Sequence, residues 1–173
     1  MVGTKDWEQP GYVTQLMHNL KPLLDEVALL ATSPRYPFGT LEKTAVPQSS
    51  GLYVIWQDDP PDALYAGRAS AKGKPKAQAD GLRFRIMENH LGKRGDDNFV
   101  RYIGKLLASK SRVDVGRYIR EHYSVSWIEV SDPHRLFLLE HLTIAALQPK
   151  LNRGVTSTPG SWRCRVRKAS SGV

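Results

Sequence analysis

Cysteine is nearly absent from this chain: Cys164 stands alone among 173 residues. A single thiol near the C-terminus excludes an intramolecular disulfide framework and a Cys-rich zinc site, and it suits a reducing compartment. Long apolar runs are also missing, since none approaches the roughly 20 residues that a membrane-spanning helix requires. The first residues, Met1-Val2-Gly3-Thr4-Lys5-Asp6-Trp7-Glu8, have neither the basic end nor the apolar stretch of a signal peptide. A cytoplasmic protein is expected, neither exported nor embedded in a membrane.

Acidic residues are in deficit as well. Lys and Arg total 25 against 17 Asp and Glu, a formal net charge of +8. Cations recur through residues 68–120 with few acids between them, and from Lys150 to the end there is no acid at all. A solvated basic surface would account for the total. The clustering favours a polyanionic partner, and nucleic acid is the expected one.

The chain divides into three parts by pattern. Residues 12–32 place Leu16, Leu20, Leu23, Leu24, Val27 and Leu30 at helical spacing, with Pro22 either opening a second helical piece or kinking one helix. Residues 1–49 are thus expected to form an N-terminal helical extension, ended by the breakers Pro34, Pro37, Gly39 and Pro47. A central unit is expected over residues 50–153. It opens with Leu52-Tyr53-Val54-Ile55-Trp56, rich in β-branched and aromatic residues, and a strong loop signal around Pro60-Pro61 separates this from Ala63-Leu64-Tyr65-Ala66. The pair predicts an antiparallel hairpin. A Gly- and Lys-rich loop then leads to a helix at residues 82–91, with Leu82, Ile86 and Leu91 on one face. Residues 93–122 look like a basic helical insertion, with helical patterns over 99–109 and 115–122. Residues 123–130 alternate as a third strand should, with Tyr123, Val125 and Trp127 pointing one way. Residues 154–173 form a basic tail that places Trp162 among arginines, either a nucleic-acid arm or a strand edge with a loose end.

Asp132 and Pro133 mark the start of a last helix reaching about Leu147, because Asp can cap it and Pro loses nothing at the first helical position. Leu136, Phe137, Ile144 and Leu147 define an apolar stripe, and Glu140 falls inside it. A carboxylate on a core-facing stripe needs a pairing partner, a proton or a cation. The alternative is that the stripe is wider and Glu140 lies at its wet margin. The expected fold class is α+β: a small, mostly antiparallel three-stranded sheet flanked by helices.

Residues 51–152 resemble the GIY-YIG nuclease superfamily. Gly51-Leu52-Tyr53 stands where the family has its first triplet, and Tyr65-Ala66-Gly67-Arg68 where it has the second. Arg85, three residues after Leu82, matches the family's catalytic arginine; Glu140 matches its metal-binding glutamate; and Pro149-Lys150-Leu151-Asn152 matches the closing segment that ends in Asn. Each string is common by itself, and the ordered set carries the resemblance. Leu52 and Ala66 replace the isoleucines of the two triplets. Many members carry His or Tyr four positions after the arginine, whereas here that position is Asn89 and His90 follows one later. Arg83 is a rival for the arginine role, although residues two apart on a helix point in very different directions. The family register favours Arg85.

The resemblance implies phosphodiester hydrolysis with one Mg²⁺, Mn²⁺ being able to substitute, and the residue types suit that chemistry. Glu140 would hold the ion, which keeps several waters and binds phosphate oxygens. Arg85 would offer a planar, permanently charged fork to the scissile phosphate. Tyr53 or Tyr65 would take the proton from the attacking water. A free tyrosine, with pKa near 10, is ionised to only about 1% at pH 8, so that role needs nearby cations such as Arg68, Lys72 or Lys74. His90 completes the candidate catalytic group, with Asn152 and Gly67 in support. Arg68, Lys72, Lys74, Arg83, Lys93, Arg94, Arg153 and Arg163 are the candidate DNA-binding cations. The expected partner is double-stranded DNA, with the protein a monomer or homodimer, and the expected activity is a restriction-type endonuclease. A structure-specific repair, recombination or phage-type nuclease is the alternative within the enzymes. A non-catalytic nucleic-acid-binding module on the same scaffold is the alternative outside them.

Overall fold

Strand-forming composition on both sides of the Pro60-Pro61 pair produces the hairpin at the centre of the molecule. The structure, a computed structural model, describes residues 10–58, 61–71, 81–91, 98–108 and 111–152. Strand β2 (Gly51–Asp58) pairs antiparallel with β3 (Pro61–Ala69), and on its other side with β4 (Tyr123–Glu129). A two-residue strand, β1 (Tyr36–Pro37), pairs antiparallel with β4 and completes a four-stranded sheet in the order β1-β4-β2-β3. The sheet is therefore antiparallel as expected but has one strand more than the three foreseen. Pro37 looked like a breaker because it has no N–H to give a ladder. At an edge that N–H is not needed, which is where strand prolines are found.

Helix α1 (Pro10–Thr32) is one continuous helix with Pro22 inside it, and among its described residues the buried ones, Val27 and Leu30, lie in its C-terminal half. The first helix after the hairpin begins as one α-helical turn, α2 (Gly81–Arg83), and continues as a π-helix over Phe84–His90. Helices α3 (Asn98–Leu106) and α4 (Arg112–His122) follow, and α5 (Pro133–Leu147) succeeds β4. Asp132 caps α5 by accepting a bond from the His134 backbone N–H at 2.9 Å, with Pro133 in the first turn.

Alternation along β2 gives the sheet two buried faces. Tyr53 and Ile55 join one core with Leu82, Ile86, Phe99, Ile103, Ile119, Tyr123 and Val125. Leu52, Val54 and Trp56 join another with Val27, Leu30, Leu136, Leu139 and Ile144. The π-helix, α3 and α4 thus cover the first face, while α1 and α5 cover the second. Two polar side chains inside the second core pair with each other and the backbone: Trp56 Nε1 donates to Ser126 Oγ at 2.9 Å, and Ser126 Oγ donates to the Leu30 carbonyl at 3.3 Å.

The stripe expected on α5 changes, and of the two placements open to Glu140 the margin is the one observed. The buried residues of the helix are Leu136, Leu139, Thr143 and Ile144, whereas Phe137 is 44% exposed. The stripe is rotated from the one drawn on Leu136 and Phe137, and Glu140 sits at its margin with 20% of its side chain exposed. The rotation follows from what the helix packs against: α5 lies on α1, β3 and β2, and Leu139 joins the core between them, which period alone could not assign. Among the described residues, no helix is long and apolar enough to cross a membrane.

Candidate active site

The site is built around β3, an edge strand, and begins with an irregularity in it. Ile55 pairs with Tyr65 and Trp56 with Ala63, so a bulge leaves Leu64 as an extra residue between them. Bulges re-aim side chains. Here Leu64 and Tyr65, though adjacent, both pack with the first core. Gly67 is opposite Tyr53 and Tyr65 is opposite Ile55, which sets both tyrosines on the same face. Their ring centroids are 6.2 Å apart.

Gly67 makes that approach possible. A Cβ built there would fall 2.7 Å from the Tyr53 hydroxyl and 2.9 Å from Tyr65 Cε1. Any side chain would displace one ring or the other. The glycine of the second triplet is therefore a spatial requirement of the two tyrosines.

The helix that carries the arginines is anchored at its start. Gly81 has φ of +43°, and a Cβ on it would lie 2.0 Å from the Ser49 carbonyl oxygen. This close approach lets the backbone N–H groups of Leu82 and Arg83 donate to the carbonyls of Ser49 and Pro47, at 2.9 and 3.1 Å. Arg83 Nε donates to the Val46 carbonyl at 2.7 Å, so that side chain is committed to the segment before β2. Arg85 is partly buried, with its Nε fully so.

The π-helix decides where His90 points. In an α-helix, residues five apart differ by about 140° in direction, and the residue four after Arg85 would share its face. With i→i+5 bonding, a turn takes up one more residue, and positions five apart stack instead. His90 thereby takes the place that a residue four after the arginine would hold in a regular helix. It is wholly buried, and its Nε2 shares a hydrogen bond of 2.8 Å with the Tyr53 hydroxyl. The His90 ring centroid is 5.2 Å from that of Tyr53 and 5.8 Å from that of Tyr65. Phe99 of α3 closes the group, 5.5 Å from His90 and 6.3 Å from Tyr65. Sequence reasoning did not single out Phe99, and nothing distinguishes it in sequence from any apolar residue at the start of a helix. Phe99 also meets Tyr123 edge to face at 5.7 Å, and burial raises the Tyr123 hydroxyl pKa far above its ordinary value.

The second half of the site lies on the other side of β3. Arg68 pairs with Leu52 and so faces α5, where its Nε meets Glu140 Oε2 at 3.0 Å. Its guanidinium carbon is 5.1 Å from the Phe137 ring centroid. Among the described residues Glu140 pairs with Arg68 and not with either tyrosine. The structure thus brings Tyr53, Tyr65 and His90 together on one face, and Arg68 with Glu140 on the other.

Asn152 ties the edge strand in place. Its Oδ1 accepts from the Ala66 N–H and its Nδ2 donates to the Ala66 carbonyl, both at 2.8 Å. A primary amide matches a peptide group in this two-bond fashion, standing in for a neighbouring strand. Leu151 N also donates to the Leu64 carbonyl at 2.9 Å. Ala66 lies between Tyr65 and Gly67, so the clamp fixes the backbone between the two faces. The remaining candidate cations, Lys72, Lys74, Lys93, Arg94, Arg153 and Arg163, lie outside the described residues.

Glu140 is the one candidate metal ligand, and no group of three His, Cys, Asp or Glu side chains able to hold a metal occurs among the described residues. The donor set suits a hard ion that takes one carboxylate and fills its other positions with water and phosphate oxygen. No protein-family model matches this chain, and no curated protein matches it.

Proposed function

We propose that this protein is a Mg²⁺-dependent DNA endonuclease of the GIY-YIG type, most similar in plan to compact restriction enzymes. The observation that carries the reading is the bond between Tyr53 and His90 beside Tyr65, formed across the π-helix register. Residues from the first triplet, the second triplet and the arginine helix meet there, although they are far apart in sequence.

The divisions of labour follow from the surroundings. Tyr53 is wholly buried and its hydroxyl is engaged by His90, which suits orientation and proton relay. Tyr65 is only partly buried and sits on the edge strand, so it is the residue that reaches substrate and receives the proton of the attacking water. Arg85, on the same helix as His90, stabilises charge growing on the scissile phosphate. Glu140 would hold the metal ion, whose contribution when bound is to neutralise phosphate charge and relieve the leaving oxygen. Asn152 holds the strand between the two halves.

Plasmid DNA incubated with the protein and Mg²⁺ should be nicked or cut, and Glu140→Ala should lower that rate by on the order of 10³-fold while duplex binding persists. Sequencing the ends then separates the restriction reading from the repair one: discrete sites on unrelated plasmids support the first, and cutting confined to branched or flapped DNA the second. Duplex binding with no cleavage in Mg²⁺ or Mn²⁺ would overturn the enzymatic reading. Cutting both strands with one active centre per chain requires a homodimer or successive nicks.

A further inference from the structure

Arg68 is the cation that Glu140 holds in the free protein, and the geometry gives that pairing a role. Glu140 has 20% of its side chain exposed and Arg68 42%, with Nε and Oε2 3.0 Å apart. Arg68 compensates the charge of this partly covered carboxylate. Among the described residues that guanidinium has no second acceptor, and it rests beside the exposed Phe137 ring with much of its surface in solvent. It is held by one anion and free to take another.

The residue assigned to the metal is therefore already engaged by a permanent positive charge. A divalent ion arriving alone would break the ion pair and then sit beside an uncompensated arginine in a partly covered spot. A phosphodiester removes both obstacles. It offers the guanidinium a bidentate acceptor in place of Glu140, and its negative charge offsets the ion.

We propose that Arg68 is an exchangeable counter-ion for Glu140, a positioning residue that the substrate phosphate draws away so that metal binding and DNA binding are coupled. This rests on the endonuclease reading. The coupling is reciprocal, because a duplex that tightens the metal is itself tightened by the metal to the same degree. Its consequence is an enzyme whose metal site is completed at the DNA and holds its ion more weakly in its absence.

The test reads Mn²⁺ binding from the paramagnetic resonance signal of the free ion, with and without a duplex oligonucleotide. It uses the full chain with Arg85→Ala, which keeps the duplex intact. The duplex should tighten Mn²⁺ about tenfold. Adding Arg68→Ala should tighten Mn²⁺ in the free protein to nearly the duplex-bound level, and the duplex should then add less than about twofold. Arg68→Gln, which keeps more of the stem packed, should behave as Arg68→Ala does, and Arg68→Lys should restore part of the coupling because it keeps the charge without the fork. Unchanged Mn²⁺ affinity in both neutral variants, or undiminished tightening by the duplex, would overturn the proposal and leave the endonuclease reading standing. Mn²⁺ binding that survives Glu140→Ala would remove Glu140 as the ligand and overturn the proposal.

Discussion

On one side of β3, Tyr53, His90 and Phe99 are fully buried and packed ring against ring with Tyr65; on the other, Arg68 and Glu140 meet as charges with part of their surface in water. The first group is hydrogen-bonded and enclosed by three helices. The second is an ion pair at the edge of a helix. Rings fixed by close packing can move only if the core moves. An ion pair near solvent can exchange partners at little cost. The difference separates a part of the site that is shaped in advance from a part that is assembled by its ligands.

The largest effect should come from breaking the enclosed side. His90→Ala would leave a cavity and remove the bond between His90 Nε2 and the buried Tyr53 hydroxyl, and a loss of about 3 kcal/mol in denaturant unfolding is expected. His90→Gln keeps a polar atom near the hydroxyl and should lose less. If His90→Ala unfolds at the same denaturant concentration as the parent, the ring group is not the packed core that its burial implies. Next in size is Gly67→Ala. Its new Cβ, 2.7 Å from the Tyr53 hydroxyl and 2.9 Å from Tyr65 Cε1, must push the rings apart. The expected cost is about 1–3 kcal/mol, as for other overpacked cores. Cleavage should fall further than stability does, because the displaced atoms are those assigned to proton transfer. Equal activity in Gly67→Ala would place the chemistry elsewhere.

How much of this was legible in the sequence depends on the kind of signal. The hairpin was plain from Leu52 to Trp56, a proline-rich loop and the short apolar run after it, since composition and breakers act locally. The start of α5 was plain from Asp132 and Pro133 for the same reason. Strand β1 was not, because a two-residue edge strand ending in Pro37 has no pattern to read. The burial of Leu139 in place of Phe137 depends on the rotation of α5 against β3 and α1, a tertiary fact. The π-helix was equally hidden. Nothing in Leu82-Arg83-Phe84-Arg85-Ile86-Met87-Glu88-Asn89-His90 marks the turn that takes an extra residue. Counting at α-helical spacing therefore left His90 one position out of place and its role open. The ion pair between Arg68 and Glu140 was out of reach too, because both residues had separate readings and only the strand register brings them to one face.

The smallest effect should come from the exposed side, and its smallness is the point. Glu140→Ala removes a charge and breaks one ion pair, but the pair lies partly in solvent and each charge can be rehydrated. Such pairs contribute about 0–1 kcal/mol, and the unfolding transition of Glu140→Ala should stay within that range of the parent. Arg68→Ala should do the same, and the two substitutions together should cost no more than either alone, since each already abolishes the contact. Added salt should narrow what difference remains. A loss of several kcal/mol in Glu140→Ala would mean instead that the carboxylate is part of the fold's internal support. It could not then be released to a metal ion, and the contrast between a fixed and an exchangeable half of the site would collapse.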